Sequence, residues 1–228
     1  MQKAVISVGG SVLIPGNDDA VYIRQLADML REVSKEVQIA VVVGGGKMSR
    51  YYSETGRQLG GTVYQLDELG IGITRVNAKL LTVALGDDIA NSDIPLKAEE
   101  CASMSKPGKV VVMGGTEPGH TTDAVAAMIA RCLKADRVIN ASNVDAVYSA
   151  DPRKDPNAKR FSRMTIKELK DVVGDEHDAG RSYVFDPMGV DIAMENRIDL
   201  FMVNGRDLGE LRNAILGKDI KGTFVDSH

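Results

Sequence analysis

The stretch VVMGGTEPGHTTDAVAAMIA, Val111 to Ala130, joins two segments of different character. Its apolar start is typical of a buried strand, and its alanine-rich end is typical of a helix. Glycines, a proline and hydroxyl side chains fill the connection. Glycine lets a backbone approach a ligand closely, and the N-terminus of a helix offers free N–H groups and partial positive charge. The stretch therefore predicts a strand–loop–helix unit with the properties of a phosphate site.

Two other strand-like segments end in the same way. The three clusters are Gly9-Gly10-Ser11, Gly44-Gly45-Gly46 and Gly114-Gly115-Thr116. One such cluster alone is more often a tight turn, because glycine commonly punctuates loops. In open α/β sheets, however, ligands bind outside the carboxyl ends of the strands. Three clusters at one edge of a sheet favour a ligand site over three unrelated turns.

Strand-like and helix-like segments alternate along the chain, which predicts an α/β sheet with right-handed crossovers. The segment Val37 to Val43 is almost continuously apolar, as in a parallel strand covered on both faces. The predicted strands are 4–8, 37–43, 109–113, 137–141, 200–203 and 223–225, and the predicted helices are 23–33, 47–59, 69–85, 122–133, 165–173, 188–196 and 207–216.

Two segments lack a hydrophobic period. Ser, Lys, Pro and Gly cluster near 103–108, which predicts a boundary between two lobes. Residues 149–163 contain two Asp-Pro pairs and many charges. We interpret them as a loop or hairpin that projects from the sheet.

Composition excludes several classes of protein. The chain has 228 residues and a formal net charge of −4, whereas a nucleic-acid-binding protein should show a basic surplus. Small anionic ligands stay possible, because individual loops can be electropositive. No run of about 18 apolar residues predicts a membrane span. The first residues are too short and too poor in apolar side chains for a signal peptide.

The cysteines and histidines indicate neither a disulfide framework nor a metal site. Cys101 and Cys132 lie in unrelated contexts, and His120, His177 and His228 have no metal-ligand spacing. A reducing cytosol is the compartment that this usage favours, so we expect a cytoplasmic protein without side-chain metal ligands.

Neither common nucleotide motif is present. The sequence has no GxxxxGK[ST] and no GxGxxG, so a phosphate site must find its cations elsewhere. Lys47 follows the triple glycine directly and Arg50 lies one turn later, on the same helix face. Both side chains would be ordinary solvated charges in the alternative interpretation. Cations are unfavourable at a helix N-terminus, which favours a functional role.

Five segments carry a resemblance to a known family. They are GGSVL at 9–13, VVVGGGKMSR at 41–50, ITRVNAKLL at 73–81, MGGTEPGHTTDAVAA at 113–127 and NVDAVYSADPRKDPNAK at 143–159. In this order they resemble the amino-acid kinase family, and within it the archaeal-type uridylate (UMP) kinases. The last two segments are specific, whereas the first is weak by itself.

The resemblance implies a fold and an activity. The expected fold is α/β, a three-layer αβα sandwich with a mainly parallel central sheet. The expected organisation is one amino-acid kinase domain over residues 1–228, with 1–105 mainly binding the acceptor nucleotide and 106–228 mainly binding ATP. The expected reaction transfers the γ-phosphoryl group of Mg-ATP to UMP, giving UDP and ADP in pyrimidine nucleotide synthesis. A homohexamer is also implied.

The resemblance also implies residues of the acceptor side. The glycine-rich connection would cradle UMP, with Thr121 and Thr122 near the base and ribose, and Asp67 would accept hydrogen bonds from ribose hydroxyls. The expected UMP-binding residues are Gly45, Asp67, Gly115, Thr116, Glu117, Pro118, Gly119, His120 and Thr121.

Two residues are expected to be catalytic. Asp123 matches the family's aspartate that organises cations around the transferring phosphoryl group. Its alternative role is that of a first-turn carboxylate stabilised by free N–H groups. Lys47 is the cationic side chain nearest in sequence to the converging glycine loops, so we expect it to stabilise the transition state.

The expected ATP-binding residues are Gly10, Ser11, Gly46, Arg50, Ser142, Asn143, Tyr148 and Asp151. The ring of Tyr148 would cover adenine, while a tyrosine of the core is an equally good interpretation. Asp186 and Pro187 begin another predicted helix, and their match is too general to assign a role.

The chain departs from the family pattern at two positions. Ser7 stands where many members have a lysine, two residues before the first glycine, which leaves open which cation neutralises the transferring phosphate. Ala146 stands where the hairpin often has glycine, and alanine would be strained if that position needs a positive φ.

Other functions compatible with the fold are a kinase for carbamate, an acyl carboxylate or isopentenyl phosphate, and a non-catalytic nucleotide-binding or storage protein. For assembly, the helix with Ile23, Leu26 and Leu30 could bury apolar surface against a partner, although an intramolecular core is the stronger interpretation.

Overall fold

A computed structural model describes residues 1–150, 155–174 and 184–228. The strands are β1 (Lys3–Val8), β2 (Gln38–Val43), β3 (Val110–Met113), β4 (Arg137–Ser142), β5 (Val147–Tyr148), β6 (Arg160–Phe161), β7 (Arg163–Thr165), β8 (Asp199–Asn204) and β9 (Thr223–Asp226). Seven of them form a central sheet with the order β3-β2-β1-β4-β8-β9-β7, and β5 and β6 form a separate two-stranded hairpin.

Helices connect most of these strands. They are α1 (Gly10–Leu13), α2 (Asp19–Val33), α3 (Gly46–Gln58), α4 (Val63–Leu85), α5 (Ala98–Met104), α6 (Thr122–Leu133), α7 (Ile166–Val173), α8 (Pro187–Asn196) and α9 (Leu208–Leu216). None of the helices in the described ranges is both long enough and apolar enough to cross a membrane.

The sheet is mainly parallel, as predicted. Strands β3, β2, β1, β4 and β8 pair in parallel, and only the β8–β9 pair is antiparallel. The register places Val8 beside Val43 and Ala141, and Val42 beside Met113. The three glycine clusters therefore follow neighbouring strands at the same edge of the sheet.

Apolar side chains alternate between the two faces of β1 and divide the core in two. Ala4, Ile6 and Val8 pack with residues of α2, α4 and α9, whereas Val5 packs with residues of α5, α6, α7 and α8. Helices thus cover both faces, and the predicted three-layer αβα sandwich is confirmed. Ser7 lies between Ile6 and Val8 on the α6 face, which matters for the site described below.

Helix α4 differs from its prediction, because it begins at Val63 and not near residue 69. Its first turn is fixed by a capping box, in which the Thr62 hydroxyl accepts from the backbone of Gln65 and the Gln65 side chain accepts from the backbone of Thr62. The sequence prediction missed this signal because the apolar period is weak before Leu66. Three of the six additional residues, Val63, Leu66 and Asp67, line the candidate site.

The apolar face of α2 belongs to the chain's own core. Leu26 and Leu30 are fully buried and Ile23 is 7% exposed. The suggestion that this face meets a partner is therefore wrong, and the intramolecular interpretation is right.

The charged segment after β4 contains a short hairpin, since Val147 pairs with Phe161 and Tyr148 with Arg160. Among the described residues, only Lys134 and Arg197 combine a side chain with a positive φ. Ala146 is therefore not strained, and the absence of glycine there has no conformational cost. The region near 103–108 leads from α5 into β3, and the sheet continues across it.

Candidate functional site

The first two glycine clusters are in direct backbone contact. A Cβ atom on Gly10 would lie 2.2 Å from the nitrogen of Gly46 and 2.5 Å from the oxygen of Gly44. Gly46 also has a φ of +64°, in the left-handed region that glycine adopts without strain. Any side chain at Gly10 would push the two loops apart, so glycine is required here for close approach.

The third cluster is held by helix α4. The hydroxyl of Thr74 accepts from the backbone N–H of Gly115 at 2.7 Å, and Arg75 donates to the carbonyl oxygens of Gly115 and Thr116 at 3.3 and 2.9 Å. A Cβ on Gly114 would lie 2.6 Å from the Thr74 hydroxyl oxygen, which explains why that position is glycine. Helix α4 and the loop after β3 are therefore joined through the backbone of the loop.

A cavity of about 420 Å³ lies between α3, α4 and this loop. That volume falls in the range of sites for small molecules. Its lining consists of Ser49, Ser53, Val63, Leu66, Asp67, Gly70, Ile71, Thr74, Gly115, Glu117, Gly119, His120, Thr121 and Thr122.

The structure brings most of the expected acceptor residues to this cavity. Asp67, Gly115, Glu117, Gly119, His120 and Thr121 line it. Thr116 lies beside it, with its hydroxyl 3.2 Å from Nδ1 of His120. Gly45 and Pro118 are not part of the lining.

Asp67 joins the two walls of the cavity. Its Oδ2 atom accepts from the backbone N–H of Gly119 at 3.0 Å, so α4 and the loop are linked at a second point. Gly119 has a φ of +87°, which a residue with a side chain would adopt only with strain.

Asp123 is partly buried at the start of α6, next to Thr122 of the cavity lining. Its Oδ1 atom accepts from the Ser7 hydroxyl at 2.7 Å, and its Oδ2 atom is 3.4 Å from Nδ2 of Asn140. Desolvation raises the pKa of Asp123 to about 6, with the Ser7 hydrogen bond opposing the shift and the negative charge of Asp186 adding to it. Ser7, at the position where the resemblance implies a lysine, is therefore a neutral donor to this carboxylate.

Asp186 begins helix α8 next to the same region. Its Oδ1 atom accepts from the N–H of Met188 at 2.8 Å as an N-cap, and its Oδ2 atom accepts from the Thr121 hydroxyl at 2.6 Å. Thr121 in turn caps α6 by accepting from Ala124 at 3.2 Å. These bonds connect the starts of α6 and α8 at one end of the cavity.

Of the two cations after the triple glycine, Arg50 contacts the first glycine loop and Lys47 contacts the chain beyond the end of α1. Nζ of Lys47 donates to the carbonyl of Pro15 at 2.7 Å, and the guanidinium of Arg50 donates to the Ser11 hydroxyl at 3.0 Å. Both contacts are exposed to solvent. The expected ATP-binding residues Gly10, Ser11, Gly46 and Arg50 are therefore neighbours in space.

The remaining expected ATP-binding residues lie at the end of β4 and in the hairpin. The Ser142 hydroxyl accepts from the N–H of Val144 at 3.1 Å, and the Tyr148 hydroxyl donates to Asp145 at 3.0 Å. Tyr148 is partly exposed and so is not a residue of the core. Asn143 is exposed, and Asp151 lies outside the described residues.

The sequence is also similar to known proteins. The model of the amino acid kinase family matches residues 2–204. The chain belongs to the amino acid kinase family. The family resemblance inferred from the five sequence segments is thus confirmed.

Individual relatives show which members of the family are similar to this chain. The chain is 43% identical over 218 residues to a uridylate kinase of Methanococcoides burtonii, covering 95% of this chain and 92% of the relative. It is 40% identical over 227 residues to a uridylate kinase of Thermococcus onnurineus, covering 98% and 99% of the two chains.

A solved structure agrees in fold. The crystal structure of uridylate kinase from Archaeoglobus fulgidus superimposes with a TM-score of 0.87 at 38% identity, covering 99% of this chain and 100% of that chain. The α/β architecture is thus found in a relative whose sequence is also similar.

The sequence prediction missed much of the cavity wall, which comes from one stripe of α4: Val63, Leu66, Asp67, Gly70, Ile71 and Thr74. These positions recur at three and four residues, the period of one helix face. Beginning the helix at residue 63 would have placed Asp67 in this stripe and identified its neighbours. Thr74, Arg75 and Asn77 lie in the family segment at 73–81, whereas Asn140 lies outside the five segments. No role could be predicted for these side chains, because their contacts are with backbone distant in sequence.

Proposed function

We propose that this chain is a UMP kinase, which transfers the γ-phosphoryl group of ATP to UMP and gives UDP and ADP in pyrimidine nucleotide synthesis. The observation that carries the proposal is the cavity beside the converging glycine loops, with Asp67 at its wall and Asp123 at the start of α6. The names of the archaeal relatives support the same acceptor.

UMP fits the chemistry of the cavity. Uracil offers two carbonyl acceptors and an N–H donor, which suit the hydroxyls of Thr121 and Thr122. Asp67 accepts from ribose hydroxyls, and its present partner, the N–H of Gly119, lies on the loop that would close over the nucleotide. Gly45 and residues Gly115 to Thr121 complete the proposed acceptor site.

ATP would approach from the side of β4 and the hairpin, with its phosphates over the first two glycine loops. Backbone N–H groups at the starts of α1 and α3 provide donors for phosphate oxygens. We assign Gly10, Ser11, Gly46 and Arg50 to the phosphates and Ser142, Asn143, Tyr148 and Asp151 to the nucleoside. Residues 1–105 then contribute mainly to the acceptor and residues 106–228 mainly to ATP, although the loop at 115–122 also contacts the acceptor.

Catalysis would consist of positioning and charge stabilisation, as is general for phosphoryl transfer. Lys47 would stabilise charge on the transferring group after leaving its contact with Pro15. Mg²⁺ enters as Mg-ATP and neutralises charge on the phosphates when bound. It prefers oxygen ligands, and the Asp123 carboxylate fits that preference. At neutral pH Asp123 is mainly ionised, because its raised pKa of about 6 is still below 7.

We propose a homohexamer as the assembly, with the exposed sides of α3 and α4 as a contact surface. The structure describes all of α3, and none of its residues is buried. Large apolar side chains are exposed on both helices: Tyr51, Tyr52, Val63, Tyr64, Val76, Leu80 and Val83. An apolar surface of this kind marks a contact with another molecule. Light scattering that finds only monomer at micromolar concentration would refute the assembly.

The test of the activity is a panel of phosphate acceptors with Mg-ATP and purified protein. UMP should give a far higher kcat/KM than AMP, carbamate, acetylglutamate or isopentenyl phosphate. A higher value for any of these four acceptors would overturn the proposed function. Binding of UMP and ATP without turnover of any acceptor would favour a storage protein.

A further inference from the structure

Three neighbouring polar residues of α4 contact the backbone of two glycine loops. Thr74 and Arg75 bond to the loop after β3, and Nδ2 of Asn77 donates to the carbonyl oxygens of Gly44 at 2.9 Å and Gly45 at 3.3 Å. We propose that Thr74, Arg75 and Asn77, here named the α4 clamp, are positioning residues that orient the peptide groups around the transferring phosphate. The inference rests on the proposed UMP kinase function.

The contact of Asn77 sets the direction of two N–H groups. In a trans peptide the carbonyl oxygen and the following amide hydrogen point to opposite sides. Because Asn77 holds the carbonyls of Gly44 and Gly45 on the α4 side, the N–H groups of Gly45 and Gly46 point away from α4. In the described part of the chain neither N–H group has a hydrogen-bond partner. They are therefore available to an anion at the N-terminus of α3.

The contact of Thr74 fixes the loop that lines the acceptor cavity. Gly115 is buried, and its N–H group has the Thr74 hydroxyl as acceptor. A buried donor that loses its acceptor is costly, so this bond selects one conformation of the loop. Arg75 holds the next peptide unit, between Gly115 and Thr116, through the carbonyl oxygen of Gly115. Both polar groups of Gly115 are thus bound to α4.

Helix α4 contains a matched control for this role. Thr82 is 5% exposed and Thr74 is 7% exposed, and each hydroxyl donates to the carbonyl three residues earlier, at 2.9 and 2.6 Å. Only Thr74 also accepts from a glycine loop. The two threonines therefore share their burial and their helix contact, but only Thr74 bonds to Gly115 and lines the cavity. Hydrogen exchange at Gly115 separates the effect of the bond from that of a direct contact with UMP.

The experiment compares Thr74→Val, Thr74→Ser and Thr82→Val by steady-state kinetics. Thr74→Val should raise the KM for UMP about tenfold, equivalent to about 1.4 kcal/mol, while the KM for ATP stays within about twofold. Thr74→Ser retains the hydroxyl and should restore a KM near that of the wild type. Thr82→Val should leave both KM values unchanged even if it lowers the melting temperature as much as Thr74→Val.

Asn77→Asp tests the other arm of the clamp at nearly constant size. A carboxylate facing the Gly44 and Gly45 carbonyls would repel them and turn the peptide groups. We expect kcat to fall about 100-fold, the scale of a small misplacement in an active site, with a smaller change in the dissociation constant for UMP. A kcat within about threefold of the wild type would overturn the role of Asn77, because that is well below the misplacement scale.

A readout without turnover separates this inference from the proposed function. Hydrogen exchange at the Gly115 amide should accelerate in Thr74→Val and remain slow in Thr74→Ser and Thr82→Val. Equal exchange and equal KM changes in the two valine variants would overturn the clamp and leave only a structural role. A wild-type protein that does not phosphorylate UMP would overturn the proposed function, while the exchange comparison would still decide whether Thr74 fixes the loop.

Discussion

The proposed acceptor side and the proposed ATP side of the candidate site are organised by different kinds of bonds. On the acceptor side, the buried Thr74 hydroxyl and the partly buried Arg75 bind the backbone of the loop after β3. On the ATP side, the hairpin of β5 and β6 has only two residues in each strand. The buried Thr223 hydroxyl anchors the hairpin by accepting from the N–H of Val147 at 2.8 Å, but the contacts from Tyr148 and Arg160 to Asp145, at 3.0 and 3.2 Å, are exposed.

This difference predicts unequal rigidity. Hydrogen bonds away from water are electrostatically stronger, and exposed ion pairs contribute only about 0–1 kcal/mol. The acceptor cavity should therefore exist before UMP binds, whereas the exposed side chains of the hairpin should become ordered when ATP binds. Substitutions on the acceptor side should change binding more than substitutions on the ATP side, and substitutions where the two sides meet should have the largest effect.

The largest effect is expected for Asp123→Asn, at the meeting point of the two sides. The amide keeps the shape but loses the charge that organises cations, so kcat should fall on the order of 10³-fold. Single-turnover measurement with Mg-ATP and UMP would show the loss in the chemical step. A variant that keeps more than about a tenth of the wild-type kcat would contradict the role of Asp123, because removal of a preorganised catalytic group should lower kcat far more than that.

The same variant should gain stability relative to the wild type as the pH rises. The folded-state pKa of Asp123 is raised from 3.8 to about 6, so the stability that the protonated group contributes is present below about pH 4 and lost as pH rises through about 6. The free energy of unfolding of Asp123→Asn, relative to the wild type, should rise by about 3 kcal/mol between pH 4 and pH 8. Chemical denaturation at the two pH values measures this, and a difference independent of pH would contradict the raised pKa.

The next effect is expected for Lys47→Ala. If Lys47 stabilises the transferring phosphoryl group, kcat should fall on the order of 10²–10³-fold, with smaller losses in UMP and ATP binding. Lys47→Arg keeps the charge but changes the reach, and it should restore little activity. A kcat of Lys47→Ala within about threefold of the wild type would be far above the value expected after loss of one preorganised donor. The positive charge at the transferring phosphoryl group would then have to come from Mg²⁺ or Arg50.

A smaller effect is expected for Asp67→Ala, which probes the acceptor side alone. The change removes both the proposed ribose acceptor and the bond to Gly119. UMP binding should weaken by about 1.5–3 kcal/mol, the range for hydrogen bonds to charged groups, and ATP binding should not change. Glu68→Ala, at the exposed neighbouring position on α4, is the control. Calorimetry giving the same affinity for UMP in Asp67→Ala and Glu68→Ala would remove Asp67 from the site.

The smallest effect is expected on the ATP side, for Tyr148. Stacking of a base on an aromatic ring contributes about 1–3 kcal/mol, so Tyr148→Ala should raise the KM for ATP by about tenfold and leave the KM for UMP unchanged. Tyr148→Phe keeps the ring but loses the bond to Asp145, and it should behave like the wild type. If Tyr148→Phe weakened ATP binding more than Asp67→Ala weakened UMP binding, the proposed difference between the two sides would be reversed.

The general architecture was predictable because its signals are local. The apolar run at 37–43, the glycine clusters and the helical periods required only neighbouring residues, and the strand edge that they share followed from parallel pairing. The start of α4 was missed because it depends on a capping box and not on hydrophobic period. The partner face suggested for α2 was wrong because an apolar stripe looks the same whether it packs inside the chain or against another chain.

The site was predictable only for residues that lie next to the glycine clusters. The acceptor loop could be predicted from its own sequence, and Asp67 could be predicted only from the family resemblance. No local pattern connects Ser7 to Asp123, 116 residues apart, or Thr74 to Gly115. Such bonds depend on which residues the fold brings together, so they become visible only when both partners are located.

The sequence by itself determined the alternation of strands and helices, the family and the edge of the sheet where chemistry takes place. These depend on backbone preferences and apolar periods, which short segments carry on their own. The tertiary structure alone decided that a neutral serine faces the partly buried Asp123 and that one helix binds the backbone of two glycine loops. The physical reason is that desolvation and hydrogen-bond geometry depend on atoms contributed by distant parts of the chain, and folding places those atoms within 3 Å of one another.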